Sequence, residues 1–577
     1  MVFSTFDRST RLLPFVLYDS YIFPGGARGI AGALSQAGFP RTRAVFQLWN
    51  PNFRPSHARL DGRPLQMLLL SSMQMHVKNA YEAIRDAWSM GPDRPLIVCG
   101  GSKAIYEPYH YWPLETRAGR RVGPDVVVSG ESYVFLDLLN AIAADKRPRD
   151  TMRQAFERAR RDGALNAVPG LVYLAPHATF EEPVLVDTGL QRLVQCLDEL
   201  PHEMTSLSLL EPPHRGFGLS PRPIPENRVG RHARIISLAV TQGCKFNCSY
   251  CPLPAYNQKT WRYRSPEGLV QELRLVFEKF HIKHFYGADD NFFNKRQTSK
   301  EILKAMAGAK IQGHPLGQKV RFYTEATQFD TWKNRDLLPV AQAAGLKALW
   351  FGIEDLTAEL INKGQKPEVT LELFKLLHQH KIMPMAMMMF HEGQPFYTPH
   401  SLYGLYNQVD FLRRAGAISL QCTVHIPAPG TREYDKTYFS GRVLRRVGGY
   451  VIPEAKIDGN HVLVKGKEEP WRKQLKLWGG YLAFYNPLNL VRALLARDGS
   501  RLWKYRVVYQ ALGFVATLWT GWKMLPYMLR LKTSSLQCYQ EPPPLHSVPV
   551  QDAPQAFPRY PTLQPTREMV ESERLAA

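Results

Sequence analysis

The chain has 577 residues, of which 45% are hydrophobic and 11% aromatic, and this excludes both a mostly disordered protein and a disulfide-stapled mini-protein. Its 73 basic and 51 acidic residues give a net charge of +22, which points toward an anionic partner such as nucleic acid or a membrane surface. The seven cysteines are odd in number and three fall within eight residues, which favours a reduced compartment and metal-binding thiolates over an extracellular disulfide framework.

The start of the chain and its longest apolar run predict neither secretion nor a membrane span. Residues 1–20 contain charged side chains and no long apolar segment before Pro14, unlike a secretory signal. The longest apolar run, residues 507–522, is shorter than the roughly 20 residues that a spanning helix needs. We therefore expect a cytoplasmic protein.

Residues 1–150 alternate short apolar runs with helix-like segments. The apolar runs lie at 13–18, 44–48, 65–70, 96–99 and 125–128, and the helix-like segments at 29–37, 77–88 and 132–144. Short apolar strands separated by helices predict a parallel sheet covered on both faces. We interpret this region as a doubly wound, Rossmann-like domain, which binds ligands at the carboxyl ends of its strands.

The rest of the chain divides by composition into four predicted regions. They are a connector at 151–230, a second alternating strand-and-helix domain at 231–440, a basic helical domain at 441–535 and a disordered tail at 536–577. The connector contains a hairpin-like stretch and a proline-rich run. The tail is also proline-rich and offers little material for a core.

The most specific feature is the cysteine triad, Cys244, Cys248 and Cys251, which follows an apolar strand at residues 235–240. Three thiolates this close in sequence can hold one metal centre. Iron–sulfur clusters commonly take four cysteines, so with three, one iron keeps an open position for another ligand. A structural zinc site requires four protein ligands, and no histidine or cysteine follows at a zinc-finger interval. The spacing favours an open iron–sulfur cluster, with zinc and coincidental thiols as the alternatives.

The triad, with the aromatic Tyr250 before its third cysteine, resembles the signature of the radical S-adenosylmethionine (SAM) enzymes. The resemblance implies a [4Fe–4S] cluster whose unique iron is bound by the amino and carboxylate groups of SAM. It also implies an electron donor such as flavodoxin or ferredoxin, whose electron cleaves SAM to a 5′-deoxyadenosyl radical. The family fold is a partial (βα)6 barrel with its site at the carboxyl ends of the strands.

A segment in the second alternating domain is similar to one found in the cobalamin-associated branch of that family. It is Asp289-Asp290-Asn-Phe, which stands where the second strand is predicted to end. Asp289 and Asp290 either face the SAM amino group or make hydrogen bonds within a turn. The sequence leaves both roles open.

Two glutamates end predicted strands of the same domain. Glu325 lies near the end of the third strand, and Glu354 closes a Gly-Ile-Glu segment at the end of the fourth. The family places a glutamate of such a segment near SAM, which implies that Glu354 binds ribose hydroxyls or an ammonium group. An ion pair of Glu354 with Lys363 or Lys366 is the alternative.

The resemblance extends to the N-terminal region, since a doubly wound domain before a radical SAM barrel is the cobalamin-binding architecture. The residues that the resemblance places beside cobalamin follow the third, fourth and fifth apolar runs and are Ser71, Ser72, Gly100, Gly101 and Gly130. The Asp-x-His-x-x-Gly motif that supplies a cobalt ligand is absent. Cobalamin is therefore expected to bind without a histidine ligand, unless the domain binds nothing. We interpret His76 as a surface or packing histidine.

The predicted fold class is α/β, with an N-terminal doubly wound Rossmann-like domain of cobalamin-binding type, a partial (βα)6 radical SAM barrel and a C-terminal helical segment. The predicted activity is cobalamin-dependent C-methylation of an unactivated carbon in a small-molecule or lipid substrate. An alternative with the same cofactors is a cyclase, oxidase or rearrangement enzyme acting on a lipid or tetrapyrrole. An alternative of another class is a non-catalytic metal-binding interaction protein.

The excess charge is concentrated near the C-terminus. Residues 441–540 contain 17 basic and 5 acidic residues, a net +12, together with five tryptophans. This composition favours a helical cap over the barrel, either alone or with residues 441–535 also contacting anionic lipid at the inner membrane face. No nucleic-acid-binding module is evident, so nucleic acid is not an expected partner.

Overall fold

The protein is built around two large sheets and one continuous hydrophobic core. A computed structural model of the chain describes residues 1–144, 146–201, 203–496, 502–543 and 548–556. The eight-stranded sheet, here called the N-terminal sheet, is formed mainly by N-terminal residues, and the six-stranded barrel sheet by residues 235–424. Buried apolar side chains of both sheets belong to one cluster. The predicted α/β class is confirmed.

The N-terminal sheet has five parallel strands followed by an antiparallel extension. In spatial order its strands are Ala44–Phe46, Val2–Ser4, Met67–Ser71, Leu96–Gly100, Val126–Val128, Leu171–Leu174, Leu185–Asp187 and Val550–Asp552. The accompanying helices are Gly25–Gln36, Val77–Trp88, Ser102–Tyr106, Ser132–Ala144 and Met152–Arg161. The five parallel strands follow the 2-1-3-4-5 order of a doubly wound sheet, which confirms the Rossmann-like prediction.

The first strand is not where we expected it. The structure places this strand at Val2–Ser4, and residues 13–18 form turns instead. Leu12 and Leu13 are buried, but they pack near the C-terminal helix, where the Leu13 N–H donates to Thr520 Oγ1 at 3.1 Å. Their apolar character reflects this packing, and a strand of three residues is too short to show a periodicity.

Part of the predicted connector at 151–230 belongs to the N-terminal sheet. Leu171–Leu174 pairs antiparallel with both Val126–Val128 and Leu185–Asp187, so the hairpin-like stretch is a true hairpin that extends the sheet. All of its strand residues are buried. Helix Glu226–His232 then leads into the barrel. Among the described residues, short hairpins are formed by Arg59–Leu60 with Arg63–Pro64, Leu114–Glu115 with Arg121–Val122 and Lys310–Ile311 with His314–Pro315. Thr241–Gln242 and Arg262–Tyr263 pair antiparallel on either side of the cysteine loop.

The barrel sheet is wholly parallel and runs in chain order. Its strands are Ile235–Leu238, His284–Gly287, Arg321–Ala326, Leu346–Glu354, Met383–Phe390 and Ser419–Val424. The helices of this region are Leu253–Asn257, Pro266–Phe280, Arg296–Gly308, Leu316–Lys319, Gln328–Lys333, Leu338–Ala343, Pro367–Gln379, Leu405–Ala415 and Tyr434–Phe439. The predicted partial barrel is confirmed. As in closed barrels, loops from all six strands converge at their carboxyl ends.

Two tyrosines cover the free edge of the last barrel strand. The Tyr481 hydroxyl donates to the Cys422 carbonyl at 2.7 Å and accepts from its N–H at 3.1 Å. The Tyr485 hydroxyl makes the same pair of bonds with Leu420, at 3.1 and 2.7 Å. An open edge would expose unpaired N–H and carbonyl groups, so these hydroxyls take the place of a seventh strand.

The C-terminal region is helical, as predicted. Its helices are Pro470–Phe484, Pro487–Leu495 and Trp503–Thr533, and its small antiparallel sheet consists of Leu444–Val447, Tyr450–Val451 and Leu536–Cys538. Within the ranges that the structure describes, every helix is either too short or too polar to cross a bilayer.

Two strands lie in the segment that we predicted to be a disordered tail, residues 536–577. Leu536–Cys538 pairs with Leu444–Val447, and Val550–Asp552 extends the N-terminal sheet beside Leu185–Asp187. The prediction of disorder is wrong for these strands because backbone bonds to distant sheets order them without a local core. The prediction for residues 544–547 and 557–577 lies outside the described residues.

Candidate active site

The cysteine triad lies at the carboxyl ends of the barrel strands, beside a cavity of about 180 Å³ that we call the triad cavity. It is lined from several strand ends by Cys244, Cys248, Tyr250, Cys251, Asn257, Asp290, Glu325, Thr327, Gly352, Glu354, Lys363 and Met387, among others. Most of the residues that the sequence assigned to the cluster and SAM therefore meet in one place.

Cys244, Cys248 and Cys251 lie on one loop, and their thiols are largely shielded from solvent. Burial raises the pKa of Cys244 to about 11 and that of Cys251 to about 12. Among the described residues, no three His, Cys, Asp or Glu side chains are grouped so that they could hold a single metal ion. A [4Fe–4S] cluster does not need such convergence, because each cysteine binds a different iron atom. The donor set fits a cluster and not a lone zinc ion, and its thiols must lose their protons when metal binds.

Asp290 anchors the start of the cysteine loop and borders the triad cavity. One of its carboxylate oxygens accepts from the Gly243 N–H at 2.6 Å and from the Asn257 amide at 3.2 Å. Gly243 has φ +103°, and a side chain there would collide with the Thr260 carbonyl. Burial raises the pKa of Asp290 above its ordinary value. Asp290 thus fixes the start of the cysteine loop and also borders the triad cavity.

Asp289 does not line the triad cavity. One carboxylate oxygen accepts from the N–H groups of Val240 and Thr241, at 3.1 and 2.6 Å, and the other accepts from the Thr324 hydroxyl. Burial raises its pKa to about 7. These bonds join the end of the first barrel strand to the third strand, so they are not the bonds within a turn that the sequence offered as one role. The contact of Asp289 with the SAM amino group stays a prediction.

The second residue of the cysteine loop is tied to the helix after the third strand. The Lys245 N–H donates to Asn294 Oδ1 at 3.0 Å, and its ammonium group pairs with Asp330. Asn291, which is fully buried, donates to Asp330 at 2.8 Å. Within the Asp-Asp-Asn-Phe segment, Asp290 therefore holds the loop directly and Asn291 holds it through Asp330.

The last barrel loop holds the cysteine loop from the other side. The Ser249 hydroxyl donates to Glu433, and His425 Nε2 lies 3.0 Å from the second oxygen of that carboxylate. The neighbouring His425 lowers the pKa of Glu433 to about 2, with a further contribution from the Ser249 hydrogen bond. Arg432 donates to the Asn247 carbonyl.

Glu354 and Lys363 form an ion pair on the wall of the triad cavity. Their charged atoms are 3.0 Å apart. Burial alone would lower the pKa of Lys363, but Glu354 and the nearby thiols raise it above its ordinary value. Glu354 has φ +60° at an irregularity in its strand, a conformation uncommon for residues other than glycine. Its predicted place near SAM and its alternative ion pair with Lys363 are thus both compatible with the structure.

Glu325 is buried at the end of the third strand and borders the same cavity. It accepts a hydrogen bond from the Tyr286 hydroxyl. Burial, with added repulsion from Asp290, Asp289 and Glu354, raises its pKa to about 7. Several buried carboxyl groups therefore share this region with few cations, which suits a ligand that brings positive charge.

A second cavity, of about 430 Å³, lies between the N-terminal sheet and the barrel; we call it the glycine cavity. Four of the five predicted cobalamin residues line it: Ser71, Gly100, Gly101 and Gly130. It is bounded by the carboxyl ends of the N-terminal strands, where doubly wound sheets bind ligands. Gly26 and Gly29 of the first helix also line the cavity, and they have no side chain to fill it.

Ser72 is the predicted residue that does not line the glycine cavity. Its hydroxyl donates to the Met73 carbonyl at 3.0 Å. Its backbone lies close to Gly101, which has φ +89°. A Cβ at Gly101 would stand 2.7 Å from the Ser72 carbonyl oxygen. Ser72 therefore shapes the turn that leaves the cavity open.

No histidine is found among the described residues that line the glycine cavity. His76 packs against Phe6, with ring centroids 4.5 Å apart, and its Nδ1 accepts from the Asp7 N–H at 3.2 Å. Burial lowers its pKa to about 4. His76 is thus a packing histidine, and the cavity fits cobalamin that lacks a histidine ligand from this chain.

The barrel side of the glycine cavity carries a buried polar group that the sequence did not reveal. Glu131 pairs with Arg262 through contacts of 2.7 and 3.1 Å, and Arg262 also donates to Gln242 at 2.7 Å. Glu131 directly follows Gly130, so its position after a strand was a usable signal. Asn257 and Glu433 had no such signal, because only folding brings them to the triad.

Residues 238–398 match the family model described as the radical SAM superfamily. An uncharacterised methyltransferase of Pyrococcus horikoshii is 25% identical over 199 residues, covering 34% of this chain and 40% of the relative. The anaerobic magnesium-protoporphyrin IX monomethyl ester cyclase of Synechocystis is 27% identical over 160 residues, covering 27% and 30%. The chain thus spans less than half the length of these relatives.

One solved structure resembles nearly the whole chain. It is the radical SAM methyltransferase TsrM of Kitasatospora setae, with cobalamin and a [4Fe–4S] cluster bound. The match covers 89% of this chain and 99% of that one, with a TM-score of 0.58 and 16% identity. At this identity the likeness establishes the fold, including the placement of an N-terminal sheet and a C-terminal region around the barrel.

Proposed function

We propose that this chain is a radical SAM enzyme that uses a [4Fe–4S] cluster, SAM and cobalamin to methylate an unactivated carbon, because residues 238–398 match the radical SAM superfamily model. The substrate is a small molecule or a lipid. A single observation carries the proposal: the triad cavity and the glycine cavity are separated by one short helix. Reactive groups bound in the two cavities are thereby held close to each other.

The dividing helix is Leu253–Asn257, which begins two residues after Cys251. Pro254 and Asn257 line the triad cavity, whereas Tyr256 lines the glycine cavity. From the opposite side, the Tyr106 hydroxyl donates to the Pro252 carbonyl at 3.3 Å. Helix Ser102–Tyr106 of the N-terminal region therefore contacts the chain directly after Cys251.

The residues of the triad cavity have distinct proposed roles. Cys244, Cys248 and Cys251 hold the cluster, Asp290 fixes their loop, and Glu354 with Lys363 binds the polar groups of SAM. When bound, the cluster and SAM supply a hydrogen-abstracting radical, and cobalamin supplies the methyl group. The chain positions these groups and excludes water from them, which the burial of the loop and the carboxyl groups supports.

The glycine cavity suits the nucleotide tail of cobalamin better than the whole molecule. Its volume falls within the range of about 300–1,000 Å³ typical of ligand pockets. Missing side chains at Gly26, Gly29 and Gly101 make the space, and apolar residues form most of the remaining wall. We further propose an electron donor such as flavodoxin or ferredoxin, whose acidic surface would complement the net charge of +22, and a cytoplasmic location.

Anaerobic reconstitution with iron, sulfide and cobalamin tests this proposal. We expect cluster absorbance, about four iron atoms per chain, bound cobalamin, and formation of 5′-deoxyadenosine from SAM. The Cys248→Ala variant should lose the cluster and the cleavage of SAM, while Cys538→Ala, a cysteine outside the site, should retain both. Cluster absorbance that is equal in wild type and Cys248→Ala would contradict the assignment.

The outcome of the reaction separates two candidate functions. SAM with a labelled methyl group should transfer the label to the substrate if the enzyme is a methyltransferase. The similarity to a protein named as a cyclase supports the second candidate, a cyclase, oxidase or rearrangement enzyme acting on a lipid or tetrapyrrole. Production of 5′-deoxyadenosine with substrate conversion but without label transfer would establish that candidate.

A further inference from the structure

The outer face of helix Trp503–Thr533 carries an exposed row of large apolar side chains. At intervals of three, four or seven residues these are Val508, Leu512, Val515, Trp519, Trp522 and Leu529. Val515 is 65% exposed and Trp522 75%. A helix of 31 residues is about 46 Å long, so the row is extensive. Soluble monomers rarely leave such a contiguous apolar surface in water.

The opposite face of this helix is fixed to the rest of the protein. Thr517 and Thr520 are fully buried there, and Tyr527 donates to the Val462 carbonyl at 2.9 Å. Gly513 and Gly521 allow close approach of Tyr485 and Trp478, whose rings fill the space of a missing side chain. The apolar row therefore faces outward because the other side of the helix is committed to packing.

A second helix adds to the same kind of surface. Pro487–Leu495 leaves Leu488, Val491 and Leu495 exposed. It packs along the longer helix, and Trp503 Nε1 donates to the Ala493 carbonyl at 2.7 Å. We call the exposed apolar side chains of the two helices the apolar stripe.

The charges around the stripe are all of one sign along the long helix. Residues 502–540 contain five lysines and arginines and no acidic residue. Lys504 near the start of the helix and Arg530 near its end are exposed, and no charged residue lies between Arg506 and Lys523. The stripe is therefore an apolar centre with cationic ends.

We propose that the apolar stripe docks the protein on an anionic lipid bilayer, with helix Trp503–Thr533 lying in the plane of the interface. Apolar side chains enter the boundary of headgroups and acyl chains, tryptophans sit at headgroup level, and the cations contact lipid phosphates. A second copy of the chain is a poorer occupant, because two stripes would bring like charges together without an acidic residue on the helix to offset them. The docking does not depend on the radical chemistry, so either proposal can fail alone.

Vesicle flotation with the full, cluster-loaded chain tests the docking. We expect binding to an equal mixture of phosphatidylcholine and phosphatidylglycerol, weaker binding to phosphatidylcholine alone, and release as salt rises. The double variant Val515→Asp/Trp522→Asp should lose binding about tenfold or more, because it places two charges in the apolar centre. Leu371→Asp, an exposed leucine of the barrel helix Pro367–Gln379, is the matched control and should bind like the wild type.

A second variant separates charge from apolar contact. Lys504→Gln/Arg530→Gln should weaken binding to the anionic vesicles about tenfold or more, with little effect on phosphatidylcholine vesicles. An unchanged far-ultraviolet circular dichroism spectrum in each variant shows that the fold is intact. Binding that ignores lipid charge, no binding of the wild type, or a dimer that Val515→Asp/Trp522→Asp converts to a monomer would each overturn the proposal.

Discussion

The two cavities of this protein are marked by opposite kinds of residue. The triad cavity is lined by thiols, carboxylates and one ammonium group that come from the ends and loops of several barrel strands. The glycine cavity is larger and mostly apolar, and glycines line it beside leucines and aromatic residues such as Phe135 and Tyr256. They lie on the two sides of helix Leu253–Asn257.

The contrast shows two ways in which a chain prepares a binding site. Where the bound group must be ligated or charge-matched, the site requires particular functional groups at particular strand ends. Where the bound group must be accommodated, the site requires the absence of side chains, as at Gly29 and Gly101. We therefore expect substitutions that remove functional groups to damage the triad cavity, and substitutions that add side-chain atoms to damage the glycine cavity.

The largest expected effect comes from filling the glycine cavity. Gly29 lies in helix Gly25–Gln36, and a Cβ at this position meets no atom within 4 Å. We expect Gly29→Phe to fold, because the ring can occupy the cavity, and to lose cobalamin while keeping its cluster. The measurement is the cobalamin and iron content after anaerobic reconstitution.

A glycine elsewhere provides the control for that substitution. Gly308 ends helix Arg296–Gly308, and it does not line either cavity. A Cβ added at Gly308 also meets no atom within 4 Å. Gly308→Phe should bind cobalamin like the wild type. A normal cobalamin content in Gly29→Phe would show that the glycine cavity is not the binding site.

The next effect tests the triad cavity by removing a charge. Glu354→Gln should lower the rate of SAM cleavage at limiting SAM about tenfold, because a charge-assisted contact is lost and Lys363 is left without its anionic partner. Cluster absorbance should stay unchanged. Glu359→Gln changes an exposed carboxylate of the following loop and serves as the control. Equal rates for both variants would remove Glu354 from the SAM site.

A smaller effect concerns stability and pH. Burial raises the pKa of Glu325 from 4.5 to about 7, so the folded chain keeps a proton that the unfolded chain releases between these values. This contribution to stability is present below pH 4.5 and is lost as the pH rises through 7. Glu325→Gln should therefore gain about 1–3 kcal/mol relative to wild type between about pH 5 and pH 8.

Thermal unfolding of the cluster-free chain at the two pH values measures this gain. Glu372→Gln, at an exposed position of helix Pro367–Gln379, should show no pH-dependent difference from wild type. If Glu325→Gln changes stability equally at both pH values, the buried carboxyl does not hold the extra proton.

The smallest effect concerns the support of the cysteine loop. Ser249→Ala removes a hydrogen bond to Glu433, a carboxylate whose pKa is lowered to about 2 and which therefore stays ionised. We expect a loss of about 1 kcal/mol, seen as cluster loss to a chelator about five times faster. Ser535→Ala, at an exposed position, should lose its cluster at the wild-type rate. Identical rates would mean that Glu433 does not support the loop.

Much of the barrel was predictable because its signals are local. Strands such as Met383–Phe390 are apolar runs bounded by helices, and parallel strands of this kind are buried on both faces. The triad, Glu325 and Glu354 follow such strands, and their meeting at the carboxyl ends follows from the parallel order. The N-terminal glycines were found for the same reason, since they also stand at strand ends.

Other features were not predictable because they depend on distant partners. Asp289 and Asp290 are neighbours with the same chemistry, yet one bonds to Thr324 across the sheet and the other borders the triad cavity. Val550–Asp552 is a strand only because Leu185–Asp187 offers an edge to pair with.

The sequence by itself determined the chemistry, because the order of residues in the chain fixes the spacing of the three cysteines on one loop. The tertiary structure decided which groups surround that loop and how near the glycine cavity lies, because these depend on packing between segments hundreds of residues apart. It also decided where the positive charge near the C-terminus lies, with cationic side chains at the two ends of an exposed apolar stripe. Helix Trp503–Thr533 buries one face, which includes Gly513, Ala516, Thr517 and Thr520, and is left with an apolar stripe facing outward.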